Sequence, residues 1–284
     1  MQAVPLTIIG VSYSVAAFPT LSRLFAGGST REFVSHVETA LRHVMFWAIP
    51  ATVLTIVLRA QLVRVILGSG QFDWSATRLV AAALALLVTS LLAQSATLLI
   101  ARAYYAAGNT RKPVYFAVVD VVVSVGGAVL FASLFHESAF FRFFLESLLR
   151  VTDLSGTTVL TLALGLALGS IAEAIVAMWA FSKDFQLLGG GGLWRLSFQS
   201  FAASIIGGAC AYVVLAVSGL HITSNTLPGV FAQGLLAGIA GLIATVVVLW
   251  LLKTPELYEV LGAFARRFVD TPPVALEPSD NLVI

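Results

Sequence analysis

The sequence predicts an all-α, polytopic membrane protein with about seven transmembrane helices, and three observations predict it. Mean hydropathy is +0.97, and 59% of residues are hydrophobic against 11% charged, whereas charged residues make up about a quarter of a soluble domain. The apolar residues gather in runs of about 20, the length that crosses a hydrocarbon core of about 30 Å at about 1.5 Å per residue. Those runs are apolar on every side, not alternating, which excludes the strands of a membrane barrel.

Seven segments meet or approach the spanning length, roughly 2 to 24, 43 to 66, 79 to 104, 113 to 135, 157 to 182, 196 to 220 and 229 to 252. The stretches 79 to 101, 196 to 220 and 229 to 252 contain no formal charge. The first run lacks a basic leader and ends at Pro19 and Arg23 without a small-residue cleavage site, so it reads as a retained helix. Pro50 would kink or hinge the second segment, and Gly126 with Gly127 would let the fourth pack closely.

Basic residues set the orientation, because cytoplasmic loops retain Lys and Arg. Along a seven-helix path, eleven of the 16 Lys and Arg fall on one side. Arg59, Arg64, Arg78, Arg142 and Arg150 fall on the other. The C-terminus is therefore expected in the cytoplasm and the N-terminus outside, in an inner (plasma) membrane. An odd number of helices starting outside suggests sequence missing upstream.

Four regions follow. Residues 1–186 would form a five-helix unit, in which 136–156 places Phe140, Phe144, Leu148 and Val151 on one face. That segment reads either as a helix lying in the outer interface or as a re-entrant cap. The glycine run at 187–194 would be a hinge. Residues 195–253 would be a terminal helix pair, and 254–284 an amphipathic cytoplasmic segment with a disordered tail.

Composition also limits the chemistry. The net charge of +2 and scattered basic residues do not build a surface for nucleic acid. Cys210 is the single cysteine, so no disulfide or cysteine metal site is available. His36, His43, His136 and His221 lack ligand spacing. No catalytic constellation, metal site or cofactor is expected, and the chain does not read as an enzyme.

Two intramembrane carboxylates stand out, because buried charge in a bilayer is costly and by default functional. Asp120 lies about 10 Å beyond Pro113 on one helix and Glu173 about 15 Å before Lys183 on the next but reversed in direction, at similar depths from the same boundary. Either they share a proton or hold a cation between them, or Asp120 pairs with Arg102 or Arg111 while Glu173 is protonated between helices or lines water in the lobe. Arg102 reads either as a lipid head-group contact or as a snorkelling arginine with Tyr104 and Tyr105 as interfacial anchors. Arg42, ahead of HVMFWAIP, has the same two readings.

The stretch GVSYSVAAFPTLSRLF (10 to 25) and the block GSGQFDWSATRLVAAALALLVTSLLAQSATLLIARAYYAAGNTRKPV (68 to 114) resemble the MurJ (MviN) family of bacterial lipid II flippases. The first is similar to the family helix that ends in a proline, leucine and serine before a basic loop, here Pro19, Leu21 and Ser22. Residues 68 to 114 resemble a more specific block: Gly70 and Phe72 in a turn, a long helix closing on Arg102, Tyr104, Tyr105 and Ala106, then Asn109, Thr110, Arg111, Lys112 and Pro113. The resemblance implies a MATE-like lobe plus two terminal helices, from the second helix of the C-terminal lobe onward. It implies a transporter that carries lipid II across the membrane by alternating access for peptidoglycan synthesis. It further implies a missing N-terminal lobe, in cis or in trans, that bears the pyrophosphate-binding arginines, so that this part would be inactive alone. None of those arginines carries over. A family-type sodium site is not matched either: the polar residues it needs lie late in the helix corresponding to 113–135, where this chain has Ser124 and then apolar residues. The alternatives are an exporter of another polyprenyl-linked glycan or of drugs, or a non-transporting half of a split membrane protein.

Overall fold

The computed structural model describes residues 1–68, 73–186, 190–221, 226–259 and 262, with 190–194, 220 and 221 described by their backbone only. Among them there is no strand. The order is α1 (Ala3–Leu6), a π-helical turn (Thr7–Val11), α2 (Ser12–Ala26), α3 (Thr30–Val57), α4 (Arg59–Leu67), α5 (Trp74–Val88), α6 (Leu91–Ala106), α7 (Arg111–Glu137), α8 (Ala139–Leu149), α9 (Val159–Phe185), α10 (Gly190–His221) and α11 (Leu227–Leu251). Six of these segments are long and apolar enough to span, and the bent pair α5–α6 makes a seventh. The all-helical, multi-pass reading is therefore what the structure shows.

The second span differs from expectation in its bounds, starting at Thr30 instead of 43. The polar stretch before 43 looks like a loop in hydropathy, yet Phe33, Val34, Val37, Ala40, Leu41 and Val44 recur at helical spacing and are buried. They pack with Leu21, Leu99, Ile100, Tyr104, Phe116 and Phe181 into the main core at that end of the bundle. Arg42 is thereby moved from the helix entry to its interior, where it is half-buried. The helix passes through Pro50 and breaks at Leu58, where α4 begins. Likewise Pro19 does not end its helix, which continues to Ala26.

The third span, expected as one helix with an uncharged stretch from 79 to 101, is bent by 44° between Val88 and Leu91. Thr89 and Ser90 turn their hydroxyls back onto the Leu86 and Leu87 carbonyls at 2.6 and 2.7 Å, a local competition with the helical ladder that bends helices. Gln2 donates to the same Leu87 carbonyl at 3.0 Å, so the amide of one span satisfies the broken backbone of another. The π-helical turn lies beside this break: a side chain at Gly10 would meet Ser95, its Cβ 2.9 Å from Ser95 Oγ.

α7 and α9 form the most extensive helix pairing in the molecule. The seam is GLALG, 165 to 169, in which two glycines four apart let backbones approach. A Cβ at Gly165 would stand 2.6 Å from the Ala128 nitrogen, and one at Gly169 2.7 Å from Asp120 Oδ1. Gly127 faces Gly165 across this seam, but a Cβ at Gly126 would meet nothing within 4 Å; of the expected pair, only Gly127 serves close packing.

Between α7 and α9, α8 presents Phe140, Phe143, Phe144 and Leu148 outward and buries Leu145 and Leu149, with Val151 beyond them. Val151 thus does not share the face of the exposed phenylalanines. At the C-terminal side α10 pairs with α11 and packs on α3, through Phe46, Leu196, Ala203, Leu249 and Leu257. Of the expected hinge, 187–189 lie outside the described residues, and α10 already begins at Gly190. Pro255 to Glu259 are helical, and Glu259 meets His43 at 3.1 Å. From 263 onward the tail lies outside the described residues, as do Gly70 and Phe72.

Candidate functional site

The close α7–α9 seam decides where the two carboxylates go. Gly169 leaves room for Asp120, whose Oδ1 accepts from Ser124 Oγ at 3.3 Å, one turn along α7. Glu173 is one turn beyond Gly169 on α9. Both carboxylates line a single cavity of about 350 Å³, together with Leu6, Gln94, Thr97, Leu98, Ala101, Tyr105, Pro113 and Ser170. Three spans and the broken helix thus converge on one polar space, and Thr97 Oγ1, which lines it, is buried with no hydrogen-bond partner.

Neither Arg102 nor Arg111 forms an ion pair with Asp120 among the described residues. Arg102 instead lies over the Phe18 ring, 6.0 Å from its centroid, and Arg42 forms no ion pair there either. The cavity therefore holds two acidic groups and no balancing cation from Arg42, Arg102 or Arg111. Chemically this suits a proton or a small cation: two charged carboxylates in a membrane interior repel and are poorly solvated.

The tyrosine pair divides. Tyr105 is exposed and reaches the cavity. Tyr104, expected as an interfacial anchor, is a core residue at 1% exposure; its hydroxyl donates to Asp184 Oδ2 at 2.8 Å, and Lys112 meets the same oxygen at 3.1 Å. The reason is helical geometry: one residue apart on α6, the two rings point about 100° apart, and the ring facing α9 is enclosed by Phe116, Phe181 and Phe185. Pro113 sits in the first turn of α7, where a missing N–H costs nothing.

Elsewhere an apolar groove of about 450 Å³ runs between α11 and the α3–α4 junction, walled by Leu54, Leu58, Leu62, Phe231, Leu235 and Ile239. The α10–α11 seam itself is tight: a Cβ at Gly241 would stand 2.8 Å from Ala211 Cβ. The residues missed were Gly169, Thr97, Gln94 and Ser170. For Gly169 a signal existed, the small-xxx-small spacing of GLALG; for the others none did.

A bundle of long apolar helices with one span broken, polar groups held inside it and an apolar groove on its flank defines the class: a multi-pass α-helical membrane protein. Residues 1–141 match the family model described as lipid II flippase MurJ. A probable lipid II flippase MurJ of Rhizobium meliloti (strain 1021) is 29% identical over 131 residues, which are 46% of this chain and 24% of the relative. One from Bdellovibrio bacteriovorus is 31% identical over 121 residues, 43% of this chain and 23% of the relative. The solved structure of a lipid II flippase MurJ in an inward closed conformation superimposes with a TM-score of 0.58 at 20% identity, covering 88% of this chain and 45% of that one, and so shares the fold. The chain thus matches about a quarter of the length of these curated relatives.

Proposed function

We propose that this chain is the C-terminal part of a lipid II flippase, moving the lipid-linked peptidoglycan precursor outward across the inner membrane by alternating access. The observation that carries the reading is the family match over residues 1–141, supported by relatives that are themselves probable lipid II flippases. In this reading the chain is a transporter, not an enzyme, and residues 1–186 and 195–253 act as a lobe and an appended helix pair. A second lobe, in cis or in trans, supplies the arginines that hold the pyrophosphate. The groove beside α11 takes the prenyl tail, since its walls are almost wholly aliphatic. The C-terminus and the Arg111 end of α7 face the cytoplasm, and the Arg59 end of α4 faces outward.

Asp120 and Glu173 form the coupling site, loading a proton or cation that favours one of the two access states. The experiment is rescue of cells depleted of their own flippase by the complete two-lobed protein, with its ion dependence compared in Asp120→Asn and Glu173→Gln. Loss or change of that dependence in either variant is expected; unchanged dependence in both removes the coupling site. Transport of lipid-linked sugar across liposomes by the 284-residue chain with no companion would overturn the two-lobe requirement.

A further inference from the structure

Of the five basic residues that fall on the sparse side of the topology, three come together. Arg59 opens α4, Arg78 lies in the second turn of α5 and Arg150 caps α8, and all three line one cavity of about 590 Å³ with Trp74 and Tyr212. The elements forming it, the end of α3, α4, α5, the α8 terminus and α10, make a concavity separate from the carboxylate cavity. We propose that this cavity is an anion site for a phosphate group, with Arg59 and Arg150 as its ligating residues and Arg78 as a positioning residue.

The division of labour follows from the pairings. Arg78 is satisfied: it grips Asp153 through both carboxylate oxygens, at 2.7 Å from Nη1 and 2.6 Å from Nη2, and also donates to the Arg150 carbonyl. It locks the end of α8 in place. Arg59 and Arg150 form no ion pair among the described residues. Nor does the sequence of the neighbouring segments, 69–72 and 222–225, contain any Asp or Glu. The half-buried Arg59 guanidinium is pulled below its ordinary value, by burial first and by the charge of Arg150 second. Two like charges facing one concavity, without a carboxylate between them, are stabilised by a bound anion.

Backbone geometry supports the same assignment. Arg150 has φ +59 and ψ +47, the left-handed region, which at a helix C-terminus is ordinarily filled by glycine or asparagine. An arginine there carries a conformational cost that a glycine would avoid, and what the arginine adds is a guanidinium at the mouth of this cavity. Planar guanidinium groups bind phosphate oxygens in pairs. Trp74 and Tyr212, both about half exposed, give the rim the amphipathic rings found where protein meets lipid head groups. This places a phosphate site at the end of the bundle that the proposed function sets outward, and it rests on that reading only for the name of that side.

The test uses the whole chain in phosphatidylcholine nanodiscs and measures binding alone, so its failure is distinct from a failure of transport. One arm titrates inorganic pyrophosphate by calorimetry. The other compares thermal stability in nanodiscs with and without about one-tenth polyprenyl phosphate. Binding in the first arm means that a free phosphate suffices; a stability gain only in the second means that a lipid phosphate is required. In either case Arg59→Gln and Arg150→Gly should each weaken the effect about tenfold or more, as expected for losing a charge-assisted contact. Arg142→Gln, on α8 but outside the cavity, should leave it unchanged. Arg150→Gly relieves the left-handed strain, so a folding defect does not mask the result. No response to either probe, or a response that survives both Arg59→Gln and Arg150→Gly, overturns the site.

Discussion

Gly169→Ala should separate α7 from α9 and disturb the carboxylate cavity. An added Cβ would overlap Ser124 Oγ and stand 2.7 Å from both the Asp120 carbonyl oxygen and Asp120 Oδ1, where ordinary contact begins at 3.4 Å. The Ser124 hydroxyl can rotate away, but the Asp120 carbonyl belongs to the helix backbone. The helices must therefore part by about 0.7 Å, the shortfall against ordinary contact, and overpacking of this kind costs about 1–3 kcal/mol. Gly126→Ala is the internal control, since its Cβ meets nothing within 4 Å and replacing a helical glycine gains up to about 1 kcal/mol. Both glycines are helical and share that gain, so thermal unfolding of both variants in one detergent should place Gly169→Ala lower by the overpacking cost, about 1–3 kcal/mol. Adding Ser124→Ala should restore only part of the loss, because the carbonyl contact remains. Equal stability of the two glycine variants, or full rescue by Ser124→Ala, would refute the claim that backbone approach at Gly169 builds the site.

Three further outcomes are expected. Arg150→Gly should raise the unfolding temperature in the absence of anions, the relief of one left-handed non-glycine residue being about 1–2 kcal/mol; a fall would mean that the side chain itself holds the fold. Tyr104→Phe removes the 2.8 Å bond to Asp184 and should destabilise by about 1 kcal/mol, with the ring packing kept, as read by thermal unfolding beside the wild-type chain. Asp73 caps α5 by accepting from the Ala76 N–H at 2.8 Å. That bond first, and Ser75 next, hold its carboxyl below the usual range. Its contribution is thus present above the unfolded value of about 3.9 and is lost as pH falls through the lower folded value. With the intrinsic pH dependence of exchange divided out, the protection factors at the start of α5 should fall in acid in the wild-type chain and be already low, and flat with pH, in Asp73→Ala.

The number and class of the spans were legible because crossing hydrocarbon demands about 20 consecutive apolar residues with every backbone group satisfied, a demand written directly in hydropathy. Asp120 and Glu173 stood out for the same reason, as charges within those runs. The early start of α3 was hidden because its first turns are amphipathic and bury their apolar side against α2, α6 and α9, so average hydropathy reads them as loop. The bend between α5 and α6 was hidden in a run without charge or proline, since it depends on Thr89, Ser90 and an amide from Gln2, 85 residues away.

Sequence alone determined that this chain lies in a membrane, how often it crosses and which charged residues it carries inward. Only the tertiary structure decided which of those charges meet. Asp120 and Glu173 share a cavity because Gly165 and Gly169 let two helices touch, and Arg59, Arg78 and Arg150 share another because the ends of four helices meet there. Hydropathy is a property of each segment, whereas a site is a property of the distances between segments, and those are set by packing.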